Sequence, residues 1–163
     1  MERTMNINMD ELYKTALKAA ETAYAPYSNF HVGAALLAED GTVYTGCNVE
    51  NRSFGLTICA ERGAVMKAVN SGRLSFIALA VATPDSDYPV GPCGACRQVL
   101  SEFMDNSAPV RFAGSGPQVV NTTIGELYPF DSLRELAVSK PRFIAELIIQ
   151  KTHIHQARDR LAS

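Results

Sequence analysis

Hydrophobic positions along the chain alternate between helical and extended spacing. Apolar residues recur at helical intervals over residues 10–23 and again over residues 58–69, which predicts two helices. Two short β-prone runs lie between them, at residues 33–37 and 42–47. They flank Asp40-Gly41, a dipeptide that favours a hairpin turn, so we expect an antiparallel strand pair there.

The middle of the chain continues this alternation. Residues 77–82 form a continuous apolar run, the pattern of a strand buried on both faces. A third helix is expected over residues 93–103, followed by weaker strand patterns at 110–112 and 118–121. Helices and strands that alternate around a buried strand predict a three-layer α/β/α domain with a mixed sheet.

Composition narrows the class of protein. The chain has 163 residues, 47% of them hydrophobic and 20% charged, as expected for a globular domain that buries a core. A net charge of −2 without a basic run disfavours nucleic-acid binding. No long apolar run and no signal-peptide pattern are visible, so we expect no membrane attachment and a cytoplasmic location.

Cysteine placement indicates a metal site. Cys59, Cys93 and Cys96 match the three protein ligands of a catalytic zinc, whose fourth position is kept for water. The spacing of Cys93 and Cys96 lets both sulfurs reach one ion from the first turn of a helix, and Pro92 suits a helix start. Three thiolates favour zinc over harder metals.

The residues next to these cysteines suit an electrostatically tuned site. Three thiolates around a divalent ion leave a net negative charge, which helix N-termini can offset. Arg62 and Arg97 can also donate hydrogen bonds to the sulfur atoms. Glu61 follows Cys59 by two residues, so both converge on one site only around a helix end. Partial burial would raise the pKa of Glu61 into a range useful for proton transfer.

Two segments, Cys59-Ala60-Glu61-Arg62 and residues 92–98, resemble the zinc motifs of the cytidine deaminase family, in its short, three-cysteine, homotetrameric branch. The resemblance extends from about residue 23 to about residue 129. It implies a five-stranded mixed sheet and zinc-dependent hydrolysis of cytidine and deoxycytidine to uridine and deoxyuridine, with release of ammonia, in pyrimidine salvage. It also implies one zinc ion per subunit, active sites near the subunit interfaces of a homotetramer, Glu61 as the catalytic proton carrier, and the metal ligands Cys59, Cys93 and Cys96.

The same resemblance suggests how a nucleoside would bind. Residues 46–51 resemble a ribose clamp, and Asn48 and Glu50 face the same way in an extended chain, so they could bind the sugar 3′-hydroxyl together. A solvated polar pair on a strand edge is the alternative. Phe30 is the candidate aromatic side chain at the pocket mouth, although a core role is equally compatible with its position. The backbone N–H of Ala60 is expected to hold the base carbonyl.

Three features depart from the family pattern: Arg52, the place of the stacking aromatic residue, and the length of the chain. Arg52 follows the clamp in a loop that lines a neighbouring subunit's pocket in tetrameric members, where it could contact the 5′ end of a substrate. A modified or phosphorylated cytosine nucleoside is therefore the alternative substrate. Phe54 matches the aromatic residue of that loop. The stacking aromatic usually found near the family's end falls at Leu133 by register, and Phe130 lies three positions earlier.

The C-terminal part of the chain exceeds the usual family length. We therefore divide the sequence into a catalytic domain at residues 1–133 and an extension at residues 134–163 that packs on the same domain or oligomer. An apolar stripe predicts an amphipathic helix over residues 141–160. A non-enzymatic protein with a closed four-cysteine zinc site, in which Cys47 is the fourth ligand, remains the other class of interpretation.

Overall fold

The computed structural model describes residues 7–131. None of the helices in this range is both long enough and apolar enough to cross a membrane. A short 3₁₀ helix at Phe54–Leu56 accompanies the regular elements. In chain order those elements are α1 (Met9–Ala20), β1 (Gly33–Ala38), β2 (Val43–Cys47), α2 (Ala60–Asn70), β3 (Phe76–Thr83), α3 (Gly94–Phe103), β4 (Pro109–Gly114), β5 (Val119–Thr123) and α4 (Ile124–Leu127).

The strands form a five-stranded mixed sheet in the order β2-β1-β3-β4-β5. The pairs β2-β1, β1-β3 and β4-β5 are antiparallel, and β3-β4 is parallel. The Asp40-Gly41 turn joins β1 to β2, and Gly41 takes a positive φ of 87°, a conformation that glycine adopts without steric cost. The predicted hairpin and the predicted mixed sheet are both confirmed.

Helices cover both faces of the sheet, which confirms the three-layer arrangement. On one face, Leu36, Leu79 and Val81 pack in a core with residues of α2 and α3. On the other face, small residues of β1 and β3 pack against Leu12 and Ala16 of α1. Because side chains alternate along a strand, β3 contributes to both cores and is buried almost throughout, as its continuous apolar pattern predicted.

The first helix ends earlier than the apolar pattern predicted. It stops at Ala20, whereas the prediction extended to residue 23. The backbone of Tyr24 is engaged elsewhere: its N–H donates to the carbonyl of Asn48 at 3.0 Å, and its carbonyl accepts from the N–H of Glu50 at 2.8 Å. This short parallel bridge replaces the last helical turn and holds the chain beside residues 48–50.

The second helix begins later than predicted, at Ala60 instead of residue 58. Ile58 exchanges two backbone hydrogen bonds with Val49, at 2.9 and 3.0 Å, so it is in an extended conformation. The third helix likewise begins one residue after Cys93. Both corrections move a cysteine from a predicted helical position to the capping position. The extension and its predicted helix at 141–160 lie outside the described residues and remain predictions.

Candidate active site

Two helix N-termini bring the cysteines together. Cys59 caps α2 and Cys93 caps α3, both with extended backbones, and neither side chain is used to cap its own helix. Cys96 lies in the first turn of α3 and is fully buried. At the start of a helix, N–H groups and the helix dipole favour negative charge, so both helices stabilise thiolates at this point.

The three sulfur atoms have the separation that one metal ion requires. All three lie within 4.8 Å of one another, and Cys59 Sγ is 3.8 Å from Cys93 Sγ. A tetrahedral zinc with Zn–S bonds of about 2.3 Å sets its sulfurs about 3.8 Å apart. The donor set and its spacing therefore fit zinc.

Cys47 does not belong to this cluster. Its thiol donates to the carbonyl oxygen of Thr22 at 3.5 Å, and the metal-ligating group found among residues 7–131 contains only Cys59, Cys93 and Cys96. The closed four-cysteine site therefore has no support in the part of the chain that the structure describes.

Arg62 offsets the negative charge of the cluster. One of its terminal nitrogens donates to Cys59 Sγ at 3.5 Å and to the carbonyl of Thr57 at 3.1 Å. The prediction for Arg97 was wrong, because its guanidinium donates to the carbonyls of Pro92 at 2.7 Å and Leu127 at 3.2 Å. Arg97 thus acts on the backbone that leads to Cys93.

These contacts favour a thiolate at Cys59. The hydrogen bond from the Cys96 thiol and the nearby Arg62 guanidinium lower the pKa of Cys59 to about 5, against the opposing effect of burial. The pKa of Cys96 is raised, first because its thiol proton is held by Cys59 and then by burial. Thiolates are the form in which cysteines bind metal, so these contacts favour Cys59 as a metal ligand.

Glu61 lies in the first turn of α2, two residues after the cap, and is 4% exposed. Burial raises the pKa of this carboxyl, and the neighbouring Cys59 charge acts in the same direction. A carboxyl group that retains its proton closer to neutral pH can both accept and return one. The correction to the start of α2 explains how Glu61 and Cys59 approach one site although they are two residues apart.

Asn48 and Glu50 face a single loop. The Asn48 amide accepts from the N–H of Val32 and donates to the carbonyl of Phe30, both at 2.8 Å. The Glu50 carboxylate accepts from the N–H groups of Tyr27 at 2.9 Å and Ser28 at 3.3 Å, and from the Ser28 hydroxyl at 2.5 Å. Both side chains therefore hold residues 27–32 in place.

The other predicted binding residues occupy varied environments. Phe30 is half-buried, which is compatible with both the pocket-mouth role and the core role, and Ala60 is fully buried at the first position of α2. Arg52 is exposed, Phe54 is 74% exposed with its ring 5.9 Å from that of Tyr27, and Phe130 is 89% exposed.

Sequence patterns missed two polar contacts of this loop. One is the Ser28 hydroxyl, which joins Glu50 to the Phe30 N–H. The other is Asp85, whose carboxylate accepts from the His31 backbone N–H at 2.6 Å and lies 2.7 Å from its Nδ1. Neither the Ser28–Glu50 contact nor the Asp85–His31 contact has a spacing signal, because the two residues of each pair are far apart along the chain.

Comparison with known proteins agrees with this architecture. A family model described as the cytidine and deoxycytidylate deaminase zinc-binding region matches residues 7–110. A curated cytidine deaminase of Sporosarcina psychrophila is 51% identical over 123 residues, which cover 76% of this chain and 90% of that protein. One from Halalkalibacterium halodurans is 48% identical over 118 residues, 72% of this chain and 89% of the relative.

Solved structures give the same result. A cytidine deaminase from Burkholderia pseudomallei matches with a TM-score of 0.72 and 44% identity, over 76% of this chain and 98% of that one. The enzyme from Mycobacterium tuberculosis matches with a TM-score of 0.64 and 38% identity, over 77% of this chain and 97% of the other.

The fold and the cysteine cluster together define a zinc-binding deaminase domain. The chain belongs to the cytidine and deoxycytidylate deaminase family, with zinc as its cofactor.

Proposed function

We propose that this protein is a zinc-dependent hydrolase that deaminates cytidine and deoxycytidine to uridine and deoxyuridine, releasing ammonia. One observation carries the proposal: three sulfurs within 4.8 Å of one another lie beside a buried glutamate at the N-termini of two helices. The family to which the chain belongs, and the names of its relatives, agree with pyrimidine salvage as the setting.

Cys59, Cys93 and Cys96 would hold one zinc ion per subunit. When bound, zinc supplies Lewis acidity and lowers the pKa of water near the substrate. The Arg62 hydrogen bond to Cys59 draws negative charge from the sulfur, which keeps a three-thiolate site effective as a Lewis acid.

Glu61 would move the protons. Its buried carboxylate accepts a proton from water and delivers it to N3 of the cytosine ring, while the remaining hydroxide adds to C4. Glu61 then carries the hydroxyl proton of this adduct to the C4 amino group, so that the C4–N bond breaks, ammonia leaves and the C4 carbonyl of uridine forms. The raised pKa of Glu61 suits this exchange because the group must be basic enough to take a proton and acidic enough to return it. The Ala60 N–H, in the first turn of α2, would hold the base carbonyl.

Asn48 and Glu50 would bind the sugar. Within residues 7–131, the bonds described above use one of two amide protons of Asn48 and three of about four lone-pair positions of Glu50. A 3′-hydroxyl could therefore accept from Asn48 and donate to Glu50 without displacing any contact. Phe30, fixed through its own backbone by Asn48, would pack against the base.

We further propose that the protein acts in the cytoplasm as a homotetramer with active sites near its interfaces. Support comes from exposed apolar side chains close to the candidate site: Phe54 contacts Tyr27, the residue whose N–H binds Glu50, and Leu56 is 66% exposed in the same turn. Phe130, near the end of the described residues, is also exposed. Large exposed apolar groups of this kind commonly mark association surfaces.

The direct test is ammonia release from cytidine and deoxycytidine by purified, zinc-loaded protein. Glu61→Gln provides the blank, because an amide of the same shape cannot transfer the proton. We expect the variant to retain zinc and lose turnover at least about 10²-fold. A Glu61→Gln variant with wild-type turnover would exclude the proton-transfer role, and absence of ammonia from zinc-loaded wild type would exclude cytidine and deoxycytidine as substrates.

A phosphorylated cytosine nucleoside is the second candidate substrate. Arg52 is exposed on the loop that leaves Glu50, and a guanidinium group suits bidentate binding of phosphate. The description of the matching family model also includes deoxycytidylate. Comparing cytidine with its 5′-monophosphate distinguishes the two candidates.

A further inference from the structure

The Ser28 hydroxyl occupies the centre of the loop that carries Phe30. It donates to Glu50 Oε1 at 2.5 Å and accepts the N–H of Phe30 at 3.0 Å. A hydroxyl has one proton, and an ionised carboxylate can only accept, so the direction of both bonds is determined. Ser28 therefore connects Glu50, at the proposed sugar end of the pocket, to the backbone of Phe30, at the proposed base end.

The backbone between these two residues needs such support. Asn29 has a φ of 54°, in the left-handed region that asparagine tolerates better than most other residues. Its N–H donates to the carbonyl of Ala25 at 3.0 Å, which closes the turn on one side. The Ser28 hydroxyl closes it on the other, so this one group takes part both in the turn and in the orientation of Glu50.

Electrostatics support the same connection. The Ser28 hydroxyl is the largest influence that lowers the pKa of Glu50, followed by the Tyr27 N–H. Glu50 is thus held as a carboxylate whose remaining acceptor position has a fixed direction. Hydrogen bonds to charged acceptors are stronger than those between neutral groups. Removing the Ser28 hydroxyl should therefore let the Glu50 carboxylate leave its present orientation.

We propose that Ser28 is a positioning residue for nucleoside recognition, which directs the Glu50 carboxylate toward the substrate 3′-hydroxyl and couples it to the Phe30 backbone. This inference rests on the proposed cytidine deaminase function. The expected effect is confined to binding: loss of the Ser28 hydroxyl should weaken binding of the sugar hydroxyl and leave the rate of the chemical step unchanged.

The test compares cytidine with 3′-deoxycytidine, which lacks the group that Glu50 would bind. We expect wild type to prefer cytidine in kcat/KM by about tenfold or more, the scale of one hydrogen bond to a charged group. Ser28→Ala should lose most of this preference through a higher KM for cytidine, with kcat within about twofold of wild type. Ser28→Thr retains the hydroxyl at an exposed position and should restore the preference.

Ser71→Ala is the matched control. Ser71 is also exposed, and its hydroxyl donates to the carbonyl of Lys67 at the far end of α2, so its loss should leave the preference unchanged. If Ser28→Ala does not fold, Ser28→Cys permits the same comparison, because a thiol is a weaker donor of similar shape.

Three results would overturn the role of Ser28: equal losses for both substrates, failure of Ser28→Thr to restore the preference, or no preference in wild type. Wild type that releases no ammonia from cytidine would instead refute the proposed function and this inference with it. The two failures are therefore distinguished by the wild-type assay alone.

Discussion

Helix α2 approaches strand β2 so closely at Gly46 that no other residue fits. A Cβ added to Gly46 would lie 2.3 Å from the carbonyl oxygen of Ala60 and 2.4 Å from the nitrogen of Ala64, both backbone atoms of α2. The first turn of this helix holds Glu61, and its cap is Cys59. Substituting Gly46 by Ala therefore tests how strictly the sheet positions the site.

The size of the effect follows from these distances. Ordinary contact at Cβ begins near 3.4 Å, so the Gly46→Ala side chain must push the start of α2 away by roughly 1 Å. Overpacking of this kind typically costs about 1–3 kcal/mol. A displacement of about 1 Å in a catalytic group can lower turnover about 10²-fold. We expect lower stability and a larger loss of activity in the same variant.

Gly63→Ala provides a matched control on the other side of this contact. A Cβ at Gly63 would lie 3.6 Å from the carbonyl oxygen of Cys47, an ordinary contact distance. Because alanine is favoured over glycine inside a helix by about 0.5–1 kcal/mol, this variant should match or exceed wild-type stability. The same chemical change is thus expected to have opposite effects at two neighbouring positions.

Thermal unfolding, zinc content and ammonia release from cytidine measure the three consequences. For a chain of this length, each kcal/mol shifts Tm by about 2–4 °C, which calorimetry resolves. Wild-type Tm and turnover in Gly46→Ala would refute the argument that this contact positions α2. Equal damage in Gly63→Ala would show that the interface tolerates no added methyl and that the distances do not discriminate.

Three further predictions concern the metal and the substrate. Cys96→Ala should lose zinc and have a lower Tm, because metal binding and folding are linked, whereas Cys47→Ala should retain full zinc. Metal analysis that gives the reverse pattern would refute the ligand set. Arg62→Ala should weaken zinc affinity about 10–100-fold in a chelator competition, and unchanged affinity would contradict its contact with Cys59. Arg52→Ala should reduce kcat/KM for cytidine 5′-monophosphate and not for cytidine if this guanidinium binds phosphate; equal effects would contradict that role.

Local patterns in the sequence predicted most of the architecture. The continuous apolar run of β3 indicated a strand buried on both faces, and Asp40-Gly41 indicated the turn of the first hairpin. Both signals are local, since they depend on side-chain alternation and on glycine at a positive φ. The three cysteines and Glu61 were likewise selected from residue type and spacing, and the structure brings the sulfurs together.

Helix boundaries at the site could not be read from the same patterns. Periodicity extended α2 to residue 58, but Ile58 pairs with Val49 and the helix begins after Cys59. The competing interaction is the backbone bridge between Val49 and Ile58. The spacing of apolar residues reports which side chains share a face, and it does not report backbone pairing between two such segments. That bridge is what leaves Cys59 at a helix cap, with its sulfur directed to the cluster.

The sequence by itself therefore determined the chemistry of the site: which residue types are present, the kind of metal they suit, and the family to which the motifs belong. Only the tertiary structure decided which groups form hydrogen bonds with the site residues. It directed Arg62 to the Cys59 sulfur and Arg97 to backbone carbonyls, and it joined Ser28 to Glu50. A hydrogen bond requires its donor and acceptor atoms to lie about 3 Å apart. The packing of several helices and strands sets these distances, and residue spacing along the chain does not specify them.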